Sequence, residues 1–186
     1  MKNRTKKYFI DNNNIIHKIS VHGAAFTQQE NTPYTNFDEL KQYVRDTFVS
    51  AQCWYNVCSC CRPEVRVQVK EIQQNLQVAQ IQNQIKQMIN QIVQSASNSD
   101  VTSYWDTQFD LLHLHYGFED WLVEIHVTKN LANKITLWHR NNVKYKEDCG
   151  HFPGYHKQWK KCVDANYVIA YIKQHTTDKG LLNKTM

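Results

Sequence analysis

Residues 109–140 read FDLLHLHYGFEDWLVEIHVTKNLANKITLWHR, and this stretch decides the fold. Apolar and polar side chains alternate in three runs, at residues 109–116, 121–127 and 134–140. Such alternation is typical of β-strands with one buried face. Because only the short turns at residues 117–120 and 128–133 separate the runs, neighbouring strands should be antiparallel. The stretch therefore predicts an antiparallel meander.

Two helices are predicted before the meander. Asn36 is followed three residues later by Glu39, which is a variant of the capping box, so a helix should begin there and end near Trp54. The predicted buried stripe of this helix comprises Phe37, Leu40, Val44, Phe48 and Ala51. Pro63 suits the first turn of a second, long helix that should run to about residue 95.

The apolar face of the long helix changes side about halfway along. One side carries Val65, Val69, Ile72 and Leu76. The nearly opposite side carries Val78, Ile81, Ile85, Met88 and Ile92. Either the helix breaks between the two sets, or its halves contact different partners, within one domain or in another chain. Residues 65–92 are therefore a candidate surface for a homo-oligomer or a protein partner.

The two chain ends complete an α+β fold. Residues 7–10 and 15–21 flank an Asp-Asn-Asn-Asn turn and predict an N-terminal hairpin. Residues 165–175 predict a last helix, whose inward-facing side chains are Val168, Ile169 and Ile172. We predict one α+β domain over residues 1–186, in which a meander sheet and a hairpin pack with one short, one long and one C-terminal helix. The long helix, at about residues 63–95, can protrude from it.

The composition fits a folded protein of a reducing compartment. The chain has 186 residues, of which 41% are apolar and 21% charged, enough to bury a core without staples. No run approaches the ~20 apolar residues of a membrane helix, and the run after the basic start is too short for a signal peptide. We therefore expect no membrane partner and a cytoplasmic location. The six cysteines should be thiols or metal ligands rather than disulfides.

Basic and aromatic residues interleave between residues 138 and 161. Residues 129–186 also carry eleven Lys or Arg against four acids, whereas residues 11–128 carry seven against thirteen. Cations beside flat rings can hold phosphates and stack bases, so this segment predicts nucleic-acid binding. The expected phosphate contacts are Arg140, Lys144, Lys146, Lys157, Lys160 and Lys161. The expected stacking rings are Trp138, Tyr155 and Trp159.

Two groups of cysteine and histidine have the residue types of a zinc site. One, Cys149, His151, His156 and Cys162, supplies four ligands on a segment that Pro-Gly can fold back on itself, and Zn would be its cofactor. The other comprises Cys53, Cys58, Cys60 and Cys61. The side chains of the adjacent Cys60 and Cys61 should point in different directions, so only one or two of these four cysteines should reach a shared metal ion. Both groups have the alternative interpretation of incidental thiols.

Histidines on the meander suggest chemistry of a different kind. His113 and His115 share one face of their strand, and Glu124 and His126 share one face of the next. If the turn centres between residues 119 and 120, these side chains pair across the strands and form a catalytic group of three imidazoles and one carboxylate. A shift in register separates them, and the alternative is a polar, solvent-facing side of the sheet.

Three functions follow from these patterns. The leading hypothesis is a small accessory or regulatory protein that binds nucleic acid through the basic–aromatic segment. One alternative is a metal-dependent hydrolase or nuclease that uses the histidines of the meander. The second alternative is an interaction or structural subunit that assembles through the Gln-rich long helix. The sequence contains no Gly-rich phosphate loop and no recognisable signature of a Ser or Cys nucleophile.

Overall fold

The structure, a computed structural model, describes residues 8–19, 32–34, 36–128, 131–141, 152, 154–162 and 164–179. Within these ranges the chain forms three helices, a four-stranded sheet and a five-stranded antiparallel sheet, which confirms the α+β class. The sequence suggested one domain, and the chain groups into two compact units. These are the N-terminal unit, Met1–Gln80, and the C-terminal unit, Ile81–Met186.

The sheet of the N-terminal unit has the strand order β3-β1-β2-β4. Its strands are β1 (Tyr8–Ile10), β2 (Ile15–Lys18), β3 (Thr32–Tyr34) and β4 (Asn56–Val57). The first two form the predicted hairpin, because Oδ1 of Asp11 accepts hydrogen bonds from the backbone N–H groups of Asn13 and Ile15. The two-residue strand β4 pairs with β2 in parallel and is too short for sequence periodicity to predict.

Helix α1 (Phe37–Ala51) begins where its capping residue predicts. The side chain of Asn36 accepts hydrogen bonds from the backbone N–H groups of Asp38 and Glu39, both at 2.9 Å. The helix ends earlier than predicted, because Gln52 adopts the left-handed region at φ 52°. Of its predicted stripe, Ala51 is exposed and Phe37 half-buried, and the buried residues are Leu40, Val44 and Phe48.

Helix α2 (Pro63–Ser97) is continuous. Its first part contributes residues to one hydrophobic core and its last part to another. Val65 and Val69 belong to the core of the N-terminal unit. Ile92 and Ala96 belong to the core of the C-terminal unit. The predicted change of apolar face is therefore accommodated without a break in the helix. Val78, which the sequence placed with the second stripe, is 52% exposed instead.

The sheet of the C-terminal unit is the predicted meander with one further strand at each edge. Its strands, in spatial order, are β5 (Thr102–Asp106), β6 (Leu111–Tyr116), β7 (Glu119–Thr128), β8 (Leu131–Asn141) and β9 (His156–Cys162). Neither edge strand was predicted. No element was predicted for the residues of β5, and β9 lies in the segment interpreted only by its charge and rings.

One face of this sheet is covered by helices. It packs on the last turns of α2 and on α3 (Ala165–Asp178), which begins at the capping residue Asp164. The predicted inward residues Val168, Ile169 and Ile172 are all buried. The opposite face, here called the polar face, carries a small apolar cluster formed by Leu122, Trp138, Phe152 and Tyr155 and the charged side chains described below. Among the described helices, none is both long and apolar enough to cross a membrane.

Candidate nucleic-acid interface

The register between β6 and β7 differs from the predicted one. His113 pairs with Leu122 and His115 with Asp120, because the hairpin turns at Gly117 and its neighbour. Gly117 has φ 60°, a value that glycine adopts readily at the first position of a tight hairpin turn. The predicted pairing of His113 with His126 is therefore wrong.

His113 and His115 instead meet at one carboxylate. Oδ1 of Asp120 lies 2.7 Å from Nδ1 of His115 and 3.6 Å from Nε2 of His113. His113 is buried, and its Nδ1 lies 3.3 Å from Oδ2 of Asp106 without the alignment of a hydrogen bond. The hydroxyl of Tyr155 approaches Nε2 of the same ring to 3.4 Å. These contacts enclose His113 in a polar network between β5, β6 and β7.

Glu124 and His126 form a separate pair further along β7. Nε2 of His126 lies 3.4 Å from Oε2 of Glu124 and 2.8 Å from Oγ1 of Thr136. The indole N–H of Trp138 also donates a hydrogen bond to Glu124, at 2.8 Å. Four residues of extended strand, or roughly 13 Å, separate Glu124 from Asp120. The predicted catalytic group of three imidazoles and one carboxylate is therefore not assembled.

Arg140 is held by two neighbours on the polar face. Its Nη2 donates to Oδ2 of Asp120 at 3.0 Å, and its guanidinium lies 4.9 Å from the ring centroid of Tyr155. Burial alone would lower the pKa of Arg140, but the hydrogen bond to Asp120 and the electrostatic interactions with Tyr155, Asp120 and Tyr104 together outweigh burial and raise the pKa. One third of the side chain, 33%, remains exposed, so Arg140 can still meet an anion.

Two of the predicted stacking rings are part of the protein interior. Trp138 is 6% exposed and Tyr155 only 2%, because both pack in the apolar cluster of the polar face. A base cannot stack on a ring face that is already covered, so the stacking role predicted for these two residues is corrected. Burial also raises the pKa of Tyr155, which keeps its phenol neutral.

Among the predicted phosphate contacts whose side chains are described, Lys157 is the most exposed. It is exposed on β9, and its Nζ lies 5.5 Å from the ring centroid of Trp138. Lys144 and Lys146 lie outside the described residues. The side chains of Trp159, Lys160 and Lys161 also lie outside what the structure describes, although their backbone belongs to β9.

Tyr104 is the exposed ring that the sequence analysis missed. It pairs with His113 across β5 and β6, and 52% of it is exposed. Its ring packs on the imidazole of His113, with centroids 4.3 Å apart, so one ring face is supported from below. Burial, together with the charges of Asp120 and Asp106, raises the pKa of Tyr104. No sequence signal marked this residue, because β5 was not recognised as a strand.

Two members of the predicted zinc set lie at opposite ends of strand β9, and the set as a whole stays a prediction. His156 and Cys162 are the first and last residues of β9, and they pair with His139 and Ile135 on β8. Because these partners are four residues apart on β8 and β9 is irregular opposite them, about 13 Å of strand separates the backbones of His156 and Cys162. The other two members, Cys149 and His151, lie outside the described residues.

A second cluster of titratable groups lies on the helix-covered face. Glu119 is fully buried, and its Oε2 accepts hydrogen bonds from Nδ1 of His175 and Oγ1 of Thr176, both at 3.0 Å. Burial opposes ionisation of Glu119, but these hydrogen bonds and the electrostatic interactions with His175 and His139 together outweigh burial and lower the pKa of Glu119. The ring of His139 lies 4.9 Å from that of His175 and 6.2 Å from that of His156. Burial and the charge of Lys179 lower the pKa of His139 to about 4.

No family model, no curated protein and no solved structure matches the chain. A proposal about its function therefore depends on the geometry described above.

Proposed function

We propose that the C-terminal unit binds single-stranded nucleic acid on the polar face of its five-stranded sheet. The observation that carries the proposal is that an exposed ring, Tyr104, and an exposed cation, Lys157, stand on the same sheet. Aromatic rings on a sheet surface stack on unpaired bases, and nearby cations hold the backbone phosphates.

The dimensions of the sheet suit a short strand of nucleic acid. Tyr104 lies on the edge strand β5 and Lys157 on the opposite edge strand β9. Five neighbouring strands spaced about 4.8 Å apart span roughly 19 Å. Single-strand binding domains of comparable size contact about 4–16 nucleotides. A ring at one edge and a cation at the other can therefore act on successive nucleotides of one segment.

The carboxylates of the polar face do not exclude a polyanion. Asp120 is engaged by Arg140 and His115, and Glu124 by Trp138 and His126. A carboxylate that is already paired repels a phosphate less than an isolated one. The last third of the sequence has an excess of positive charge, with eleven Lys or Arg against four acids in residues 129–186. Such an imbalance supports attraction of a phosphate backbone.

Fluorescence anisotropy with labelled oligonucleotides tests the proposal. We expect a single strand to bind more tightly than a duplex of the same sequence, because only unpaired bases expose faces for stacking. Two phosphate contacts, from Arg140 and Lys157, predict an affinity loss of roughly sevenfold between about 50 mM and about 200 mM salt. Absence of binding to either form at the lower salt concentration refutes the proposal.

A matched pair of lysine variants tests the location. Lys157→Gln should weaken single-strand binding and reduce the salt dependence by roughly one phosphate contact, or ~0.7 in the logarithmic slope. Lys86→Gln removes the same charge from an exposed position on α2 and should leave the affinity unchanged. Equal losses in the two variants would show that binding follows net charge and not the sheet.

A further inference from the structure

We propose that His17, Cys58 and Cys60 of the N-terminal unit bind a zinc ion. Each of these half-buried side chains offers one ligand atom, and the three atoms lie within 4.8 Å of one another. The sequence analysis considered only cysteines here. The imidazole comes from a strand that is about forty residues away in the chain. This site is independent of the polar face, which belongs to the other unit.

The backbone brings the histidine and the cysteines together. Strands β2 and β4 pair in parallel, with Ile16 opposite Val57. His17 and Cys58 are the residues that follow this pair, one in each segment of the chain. The N–H of Cys58 donates to the carbonyl of Ile16 at 2.9 Å and continues this pairing by one residue. A turn then follows, closed by a hydrogen bond of 3.0 Å from the N–H of Cys61 to the carbonyl of Cys58. Cys60 lies inside this turn.

The ring of His17 is oriented by two contacts. Its Nε2 lies 3.0 Å from Oδ2 of Asp11, and its face stacks on Phe9 with the centroids 4.9 Å apart and the planes 19° apart. A carboxylate on one ring nitrogen fixes the tautomer and the orientation of a metal-binding histidine, and it makes the other nitrogen a better ligand. Asp11 is itself fixed by the backbone of the hairpin turn, as described above.

The sulfur atoms are placed for metal binding as well. The N–H of Lys18 points to Sγ of Cys60 at 3.5 Å, and hydrogen bonds of this kind stabilise a thiolate that binds a metal. In a tetrahedral zinc site with Zn–S distances of ~2.3 Å, two sulfurs lie about 3.8 Å apart. The two sulfurs lie at most 4.8 Å apart, so any contraction that zinc requires is no more than about 1 Å and is within reach of side-chain rotation.

The ligand types select the ion. Two thiolates and one imidazole are soft or borderline donors, which favour Zn²⁺ over Mg²⁺ and Ca²⁺. The fourth tetrahedral position would be taken by water or by a donor atom of a bound molecule. All four cysteines of this unit are thiols and not disulfides, so Cys58 and Cys60 are in the oxidation state that a metal requires.

The other two cysteines of the unit have different environments. Cys61 is buried in the core, and its Sγ lies 3.6 Å from the carbonyl oxygen of Ile16 and 4.0 Å from Sγ of Cys60. Cys53 is half-buried and packs against the same core from the end of α1. Because Cys53 does not belong to the group of ligand atoms that lie within 4.8 Å of one another, it provides a matched control for the loss of a thiol.

Metal titration of the full-length protein tests this site. We expect the wild type to bind one Zn²⁺ in competition with a chromophoric chelator, and Co²⁺ to give thiolate-to-metal charge-transfer absorption. Cys58→Ser and Cys60→Ser should each reduce that absorption and weaken zinc binding by more than ~100-fold. Asp11→Asn should weaken it by roughly 10–100-fold, as expected for loss of a partner of the metal-binding histidine. Cys53→Ser and the double variant Cys149→Ser/Cys162→Ser should bind as the wild type does.

A measurement on the unaltered chain covers the case in which a variant does not fold. Zinc should protect Cys58 and Cys60 from alkylation, located by mass spectrometry, while labelling of Cys53 proceeds at an unchanged rate. Equal protection of Cys53, a charge-transfer band that survives in Cys58→Ser, or no zinc binding by the wild type would overturn the proposal.

Discussion

Nη2 of Arg140 lies 3.0 Å from Oδ2 of Asp120, and the two residues stand directly opposite each other on β8 and β7. The same carboxylate also contacts His115 through its other oxygen. Asp120 therefore links three neighbouring strands, β6, β7 and β8, on the polar face. Because Asp120 partly neutralises the charge of Arg140, this ion pair weakens the attraction between Arg140 and an external anion.

Replacing Asp120 with Asn should raise affinity for single-stranded nucleic acid. The amide keeps the shape of the side chain but releases the charge of Arg140, so we expect a few-fold gain and a steeper salt dependence. Stability should fall by about 1–3 kcal/mol, because a hydrogen bond to a charged group is weakened. Glu71→Gln, an exposed change of equal charge on α2, provides the control in the same anisotropy titration. An equal gain in both variants would contradict a local role.

Tyr104 should contribute stacking to the same interaction. Stacking on an aromatic side chain contributes about 1–3 kcal/mol per base, so Tyr104→Ala should weaken single-strand binding by roughly tenfold or more. Tyr104→Phe keeps the ring and should keep the affinity. Tyr167, which is 45% exposed on α3, supplies the control Tyr167→Ala with a similar loss of exposed ring. Retained affinity in Tyr104→Ala would remove this ring from the interface.

The sequence predicted which face of the meander each side chain occupies, but not which residues pair across neighbouring strands. The predicted turn centre was two residues too late, so every side chain kept its face while each cross-strand neighbour changed. Glu119 and Asp120 caused the error, because acidic residues beside Gly117 resemble a turn. In the folded chain both belong to β7, where His175 and Arg140 compensate their charges. Those compensating partners are distant in sequence and leave no local signal.

The candidate metal site shows the same limit. The sequence marked Cys58 and Cys60 as two of four candidate cysteines, and it predicted the hairpin that contains His17. What it did not predict is the parallel pairing of β2 with the two residues of β4. An alternating pattern can be recognised only over several residues. A strand of two residues therefore cannot be predicted from the sequence and is found only in the structure.

Acid should destabilise the C-terminal unit through His139. Its pKa is about 4 in the folded protein against an ordinary value of 6.5, so the unfolded chain binds more protons between these values. Its contribution to stability is complete above pH 6.5 and is lost as the pH falls towards 4. The shift corresponds to a change in stability of roughly 3 kcal/mol. Glu119 attracts a proton to this ring, whereas Lys179, His175 and His156 repel it.

Urea unfolding followed at several pH values measures this effect. His139→Phe removes the titrating group but keeps a ring against Trp121, whose centroid lies 5.0 Å away. The variant should therefore lose less stability than the wild type over the same pH interval. Parallel stability curves for the two proteins would show that another group causes the acid sensitivity.

The last prediction concerns the second apolar stripe of α2, which was a candidate surface for another chain. Ile92 is fully buried in the core of the C-terminal unit, whereas Val78 is 52% exposed. The two residues are fourteen positions apart on one helix, so at 100° per residue they lie within about 40° of the same side. They therefore form a matched pair that differs in burial and not in helical face.

Glutamate at these two positions should have opposite consequences. Ile92→Glu buries a carboxylate without a designed partner, which costs several kcal/mol against a total stability of about 5–15 kcal/mol. Val78→Glu leaves the charge in water and should change stability by less than about 0.5 kcal/mol. Circular dichroism with urea titration measures both, and sedimentation gives the oligomeric state. A folded, monomeric Ile92→Glu variant of an oligomeric wild type would place the stripe at an interface between chains, because only a surface residue tolerates the charge once its partner is gone.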